Sequence, residues 1–282
     1  MRMYLVLLLV AGLALAGSTA DTSPYISGSP TNPGEADFDV LTSFSVEDFS
    51  VSVYSVGIGW DGEYLWITEG VAVGGSGLNQ IYIADRDGNL ITQVDQNGTS
   101  SWGLRDLCFD GDYMYGSDDS DVDYYDPSTY EKVGSYTCTA VSPNRAEAWD
   151  GTYFYTGSFS NTIYQVEWDG VSGSTATATA WSTAVANGGT YGAAYDQWDD
   201  CLWVSTASSD GALYQIDMDG NLIDTHSILP EVPTAGGCCI APYDGQDQLW
   251  VLAQGDPDEA ICFDIHPDAL APATWGEIKT LF

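Results

Sequence analysis

An aromatic residue followed by aspartate recurs five times along this 282-residue chain, at nearly constant spacing. The five dipeptides are Trp60-Asp61, Phe109-Asp110, Trp149-Asp150, Tyr195-Asp196 and Tyr243-Asp244, whose aspartates lie 49, 40, 46 and 48 residues apart. A strand-like run with its own aromatic residue follows each dipeptide, at Trp66, Tyr115, Tyr155, Trp203 and Trp250. A period of 40 to 50 residues is typical of proteins built from one small structural unit used repeatedly.

The repeats continue with further strand-like segments, which define the unit. A third segment appears in all five repeats, as QIYIAD, VDYYD, TIYQVE, ALYQID and AICFDI. Two of these lead into DRDGNLITQV and DMDGNLIDTH, in which Asp-Gly provides the chemistry of a tight hairpin turn. Four short antiparallel strands per repeat predict an all-β fold, a five-bladed β-propeller with four-stranded antiparallel blades.

The N-terminal region supplies one more strand and a targeting signal. The segment FDVLTSFSV, residues 38–46, resembles an outer fourth strand without the rest of a blade, so we predict that it pairs with AICFDI and closes the ring. Residues 1–20 have the apolar run and small-residue cleavage pattern of a signal peptide, which predicts a secreted protein, extracellular or periplasmic. The predicted divisions are a linker at 21–35, the propeller at 36–268 and a C-terminal tail at 269–282.

Composition excludes several classes of partner. The chain has 41 Asp and Glu but only 6 Lys and Arg, for a net charge of −35. Such a charge argues against nucleic acid as a partner, and no segment after residue 20 is long and apolar enough for membrane insertion. The acidic surface fits a protein that meets cations or cationic partners, or it serves only solubility.

Cysteine and histidine content gives two further expectations. An even number of cysteines in an exported chain predicts disulfides, with no pairing implied, among Cys108, Cys138, Cys201, Cys238, Cys239 and Cys262. No C-x-x-C pair is present, and His226 and His266 are far from each other and from the cysteines, so the spacing does not predict a zinc site.

Alignment of the inner strands on the repeated aspartate singles out a few side chains. Five residues before it the repeats have Val56, Arg105, Arg145, Tyr191 and Cys239, and three before it they have Ile58, Leu107, Glu147, Ala193 and Ala241. Two arginines thus share one place in adjacent blades, and a carboxylate stands where the sister repeats are apolar. Desolvation would raise the pKa of Glu147, which makes it a candidate acid/base group. The alternative is a buried ion pair between an arginine and Glu147 that only fixes the blades in register.

In a propeller, the segments that enter the inner strands lie on the same face as the loops joining the second and third strands of each blade, and these loops carry more carboxylates. Glu69 precedes a glycine-rich stretch, and an acidic run contains Asp118, Asp119, Asp121 and Asp123. Hard oxygen ligands of this kind are those that Ca²⁺ takes, so the run is a candidate for structural Ca²⁺. The alternative is a loop of solvated charges. The aspartates of the repeated turns are interpreted as structural.

Two family resemblances follow from these motifs. Units such as GIGWDGEYLWI and NQIYIADRDGNLI resemble the NHL-like repeats of secreted prokaryotic propellers, over nearly the whole chain after residue 20. WGLRDLCFDGDYMYGSDDSDVDYYDPSTYEKV and PNRAEAWDGTYFY are similar to motifs of the glutamine cyclotransferase family, five-bladed propellers that convert N-terminal glutamine to pyroglutamate. The resemblance places Asn144 and Glu147 on motif residues of that family. Its first-blade motif is only loosely matched around Glu69, and its third-blade N-V-W is replaced by YTGSFSNTIY.

Two function classes remain. The favoured one is a ligand-binding or protein-interaction module whose channel mouth holds a small anionic or carbohydrate-like ligand, or an extracellular protein segment. Its candidate binding residues are Trp102, Arg105, Asn144, Arg145 and Tyr191. The alternative, implied by the second resemblance, is a glutaminyl-peptide cyclotransferase-like enzyme. There Glu147 or Glu69 would move the proton, and Trp102 and Asn144 would position the substrate.

Overall fold

The computed structural model describes residues 38–50, 54–70, 79–96, 101–186, 189–206, 212–228 and 231–266. The predicted signal peptide, linker and C-terminal tail lie outside the described residues, as does most of the glycine-rich stretch after Glu69. Within the described ranges, no helix is long and apolar enough to cross a membrane.

The prediction of five four-stranded antiparallel blades is confirmed. Blade one contains β2 (Ser55–Trp60), β3 (Leu65–Glu69), β4 (Gln80–Ala84) and β5 (Leu90–Asp95), and blade two contains β6 (Leu107–Phe109), β7 (Met114–Asp118), β8 (Asp121–Tyr125) and β9 (Lys132–Thr137). Blade three contains β10 (Ala146–Trp149), β11 (Phe154–Gly157), β12 (Ile163–Glu167) and β13 (Thr177–Ser182), and blade four contains β14 (Thr190–Asp196), β15 (Cys201–Thr206), β16 (Ala212–Asp217) and β17 (Leu222–Ser227). Blade five combines β18 (Ala235–Tyr243), β19 (Gln246–Ala253) and β20 (Glu259–Phe263) with β1 (Val40–Ser45).

The N-terminal strand closes the ring, as predicted. Strand β1 pairs antiparallel with β20, with Phe44 opposite Ala260. A short 3₁₀ helix, Val46–Asp48, follows β1, and its fully buried Val46 donates its backbone N–H to the carbonyl of Asp258 at 2.9 Å. The first and last parts of the propeller are therefore joined within one sheet.

The hydrophobic core lies between blades. The buried apolar side chains form five clusters, and each cluster joins two neighbouring blades. Trp203 of blade four packs with Val251 of blade five, for example, and Trp250 of blade five packs with Ile58 of blade one. Because each face of a blade packs on a different neighbour, alternate residues of a strand enter different clusters.

The repeated aspartate closes the turn between the first two strands of a blade. In blades one to three one oxygen of Asp61, Asp110 or Asp150 accepts the backbone N–H groups two and three residues later. The other oxygen accepts from the polar tip of the aromatic residue on the next strand, at 2.7 Å for Trp66 and 2.8 Å for Tyr115 and Tyr155. These contacts explain the spacing of the repeat and support the structural interpretation of the aspartates.

The fifth repeat has a different register from the one that the sequence predicts. Ile240 pairs with Leu249 in blade five, so Ile240 is the equivalent of Trp60, which pairs with Leu65 in blade one. The β18–β19 hairpin is longer than its sisters, and Asp244 lies beyond the position of the repeated aspartate. Gly236 and Cys238 therefore occupy the two places that the alignment assigned to Cys239 and Ala241. The alignment of Cys239 with the two arginines is therefore wrong.

The disulfide prediction is also wrong, since all six cysteines are buried free thiols. For one pair, Cys239 and Cys262, the strand register excludes a bond. Both stand opposite Trp250, on the two strands that flank β19. Two strand spacings of about 4.8 Å separate them. That exceeds the Cα separation of about 4.4–6.8 Å that a disulfide requires.

Candidate functional site

A cavity of about 220 Å³ lies at the end of the central channel where the inner strands begin. We call it the arginine pocket, and it is lined by Val56, Trp102, Arg105, Arg145, Phe159, Tyr191 and Gln254. Phe159 and Gln254 come from loops between the second and third strands of their blades, and the other residues come from the inner strands or the segments just before them. Propeller geometry places these two groups on one face, as the sequence analysis expected.

Two guanidinium groups dominate the arginine pocket. Arg105 is 5% exposed, and neither its Nε nor its Nη1 has a hydrogen-bond partner; the buried Nε of Arg145 also has none. The guanidinium carbon of Arg105 lies 5.5 Å from the centre of a Trp102 ring, and that of Arg145 lies 3.7 Å from the Phe159 ring. Aromatic faces attract cations, so the rings hold both groups without using their N–H donors.

No carboxylate neutralises these arginines through an ion pair among the described residues. Burial lowers the pKa of Arg105 to about 10, and the charges of Tyr191, Asp119 and Asp118 oppose the shift. The pKa of Arg145 is lowered to about 9, mainly by burial and secondly by repulsion from Arg105. Both groups are cationic at neutral pH, and each destabilises the other.

Asp106 spans the channel beneath the arginine pocket, and the sequence analysis missed it. One of its oxygens accepts the backbone N–H groups of Glu147 at 2.9 Å and Ala193 at 2.8 Å, and the other accepts that of Cys238 at 3.1 Å. These donors occupy one equivalent position in blades three, four and five. Burial raises the pKa of Asp106, and the amides oppose that shift by stabilising the carboxylate.

A signal for Asp106 was present in the sequence. In the observed register its sister positions are occupied by Gly57, Ala146, Gly192 and Gly237. Small residues there leave room for one carboxylate at the centre of the ring: a side-chain carbon added to Gly237 would lie only 2.2 Å from an Asp106 oxygen.

A wider cavity of about 470 Å³ lies beyond Asp106, at the end of the channel where the inner strands finish. Its wall includes Trp60, Phe109, Trp149 and Tyr195, the aromatic members of four repeated dipeptides, together with Asp247. Asp106 thus lies between two chemically different cavities, one cationic and one aromatic and acidic.

Glu147 lies outside the arginine pocket. Its side chain is fully buried, and it accepts a hydrogen bond from the Tyr136 hydroxyl at 3.1 Å, while its second oxygen has no hydrogen-bond partner. Burial raises the pKa of Glu147 to about 8, and the hydrogen bond from Tyr136 opposes the shift. Tyr136 belongs to blade two, so the carboxyl is held between blades two and three. The ion pair with Arg105 or Arg145 is not formed.

Glu69 and Asn144 also lie outside the arginine pocket, in two different places. One oxygen of Glu69 accepts from the hydroxyls of Ser50 at 3.0 Å and Tyr82 at 2.9 Å, and burial raises its pKa. The buried Asn144 accepts from the Thr156 hydroxyl at 3.3 Å. Thr156 lies opposite Glu147 on the neighbouring strand, so Asn144 and Glu147 lie near each other, whereas the contacts of Glu69 lie elsewhere.

The acidic run forms the ends of β7 and β8 around a tight hairpin. Asp118 pairs with Asp121 across the hairpin, and Asp119 adopts a positive φ of 61°. Asp123 forms an ion pair with Lys132 at 2.7 Å, and Thr137 donates to Asp121 at 2.8 Å. The four aspartates do not form a group of three close metal ligands within the part of the chain that the structure describes. Their arrangement lends no support to the predicted calcium site.

Comparisons with known proteins bear on the fold. No protein-family model matches the chain, and no curated protein sequence is significantly similar to it. Among solved structures, the chain is similar to the glutaminyl cyclase of Myxococcus xanthus, with a TM-score of 0.55 and 8% identity. The match covers 80% of this chain and 96% of the other. This likeness shows a shared propeller architecture.

Proposed function

We propose that this propeller is a binding module for a small oxyanion, a carboxylate, phosphate or sulfate group, held in the arginine pocket. The observation that carries the proposal is the pair of largely buried arginines with unused N–H donors and no carboxylate partner. A buried charge without a partner destabilises a fold, and violations of this kind are expected at functional sites. An oxyanion would accept from both guanidinium groups and remove their mutual repulsion.

The pocket also limits what can bind. Its volume of about 220 Å³ is below the roughly 300 Å³ at which pockets for drug-sized ligands begin. The rings of Trp102, Phe159 and Tyr191 form apolar walls beside the cationic centre. The pocket therefore suits one anionic group with a small flat or apolar body.

Arginine substitutions test the proposal. Thermal unfolding is followed with increasing sulfate, phosphate or small carboxylates for the wild type, Arg105→Met and Arg145→Met. A ligand at 100 times its dissociation constant stabilises the folded state by about 2.7 kcal/mol, so the wild type should show a saturable rise in Tm. Both variants should fold, because methionine removes an unpaired buried charge, and both should lose the saturable rise.

Arg86→Met is the matched control, with the same loss of charge outside the pocket, where Arg86 lies over the Trp60 ring. Sulfate also stabilises proteins generally, because it is excluded from their surface. This general rise in Tm should be the same in the wild type, the control and the two pocket variants. Equal Tm shifts in the wild type, the control and both pocket variants would refute the proposal.

A second candidate is cyclisation of N-terminal glutamine. It is supported by the similarity of fold to a glutaminyl cyclase and by two buried carboxyl groups with raised pKa, Glu69 and Glu147. Their separate contacts argue against one shared site. Turnover of a glutaminyl-initiated peptide that is lost in Glu147→Gln would favour this candidate, and absence of turnover in the folded wild type would remove it.

A further inference from the structure

The aspartate turn of blade four differs from its three sisters. Asp196 accepts the backbone N–H groups of Trp198 and Asp199, and its other oxygen accepts from the Trp203 ring at 3.2 Å, longer than the 2.7 and 2.8 Å of the sister turns. The turn is two residues longer, and it places a second carboxylate, Asp199, beside the first.

His266, which follows β20 of the neighbouring blade, lies between these two carboxylates. Its Nε2 is 3.5 Å from an Asp196 oxygen, and its Nδ1 is 3.7 Å from an Asp199 oxygen. The side chain is only 8% exposed, yet Nε2 makes no hydrogen bond. A buried imidazole nitrogen that makes no hydrogen bond and lies 3.5 Å from a carboxylate oxygen is available as a metal ligand.

We propose that Asp196, Asp199 and His266 bind a divalent first-row transition-metal ion. One ligand atom of each residue lies within 4.8 Å of those of the other two. Two ligands of a tetrahedral zinc ion with bonds of about 2.1 Å lie roughly 3.4 Å apart. The observed 3.5 Å between Nε2 and the Asp196 oxygen matches that spacing.

Charge favours a cation at this place. Asp247, in the wall of the wide cavity, is close enough for its charge to act on both Asp196 and His266. The charges of three carboxylates therefore act at one imidazole, and a divalent ion would neutralise the excess negative charge. A ligand set that includes imidazole suits zinc and similar ions better than calcium or magnesium, which prefer oxygen alone.

The shell around the ligands is also suited to a metal. Backbone amides and the Trp203 ring fix the carboxylate of Asp196, and the backbone N–H of His266 donates to Asp264 at 3.0 Å. Such outer contacts orient metal ligands in advance. The side chain of Asp199 is 39% exposed, which leaves a path for the ion from solvent.

Zinc binding by the full chain tests the proposal. Protein treated with a chelator and then freed of it is dialysed against Zn²⁺ at physiological salt with excess Mg²⁺, which occupies nonspecific acidic surface. We expect one tightly bound zinc per wild-type chain and a rise in Tm. The affinity for zinc should fall at least about 10-fold in Asp199→Asn and in His266→Gln. Loss of a residue that only supports a metal ligand costs about 10-fold or more, so loss of a ligand itself should cost at least as much.

Asp112→Asn is the matched control, because it removes the same charge from the exposed part of a sister turn that has no histidine. The control should bind zinc like the wild type, and circular dichroism should show that all variants are folded. Two results would overturn the proposal: a wild type that binds no zinc beyond the level of the folded Asp199→Asn variant, or equal loss of binding in Asp112→Asn and Asp199→Asn.

Discussion

Replacing Glu147 by glutamine should stabilise this protein at neutral pH, by an amount that depends on pH. The carboxyl is fully buried, and its pKa is raised from the ordinary 4.5 to about 8 in the folded protein. The folded state therefore keeps a proton that the unfolded chain releases. Glutamine is a neutral side chain of the same shape, and it can still accept from Tyr136.

The sign follows from proton linkage. Below pH 4.5 the carboxyl is protonated in both states, so its contribution to stability is present in full. As pH rises from 4.5 to about 8, the unfolded chain binds fewer protons than the folded chain, and the free energy of unfolding falls. Each pH unit between these values costs about 1.4 kcal/mol, so the penalty is about 3 kcal/mol at pH 7 and about 5 kcal/mol above pH 8.

Urea unfolding followed by tryptophan fluorescence at several pH values between 5.5 and 8 measures this effect. The difference in unfolding free energy between Glu147→Gln and wild type should grow by about 1.4 kcal/mol per pH unit. Among the described residues, Asp106 is the one buried carboxyl whose pKa is raised partly by the charge of Glu147, so the difference reports Glu147 together with this coupling. The control is Glu167→Gln, at an exposed position of the same blade, which should keep the wild-type pH profile. A Glu147→Gln variant that is less stable at pH 7, or a difference that is constant with pH, would refute the reasoning.

Three further predictions concern the ring itself. Asp106→Asn should lower the free energy of unfolding by about 1.5–3 kcal/mol in urea titration, because its amide group would face the Cys238 N–H; unchanged stability would contradict the role of the carboxylate. Deletion of residues 38–48 removes the strand β1 with the fully buried Val46 and the partly buried Phe44, and should cost at least about 1.5–3 kcal/mol; an unchanged Tm would exclude closure by β1. Six thiols per chain should react with Ellman's reagent in denaturant without reductant, and almost none in the folded protein; fewer than six would indicate disulfides.

The sequence determined the architecture because the relevant signals are local. The aspartate of each turn, the aromatic residue on the next strand and the Asp-Gly hairpins make contacts within about ten residues of chain, and their recurrence fixed the number of blades. The orphan strand at 38–46 was predictable as the closing strand because an open edge in a propeller needs a partner. The gathering of Arg105, Arg145 and Tyr191 in one pocket likewise followed from equivalent positions in successive repeats.

Only the tertiary structure decided which side chains meet across blades. Glu147 lies on β10 and Arg145 just before it, two residues earlier, yet the first is held between two blades and the second lines the arginine pocket. The same is true of Asp106, whose three amide partners come from three other blades, and of His266, which meets Asp196 some 70 residues earlier in the chain. Contacts of this kind depend on the stagger and separation of packed sheets, which a periodic pattern of residues does not encode.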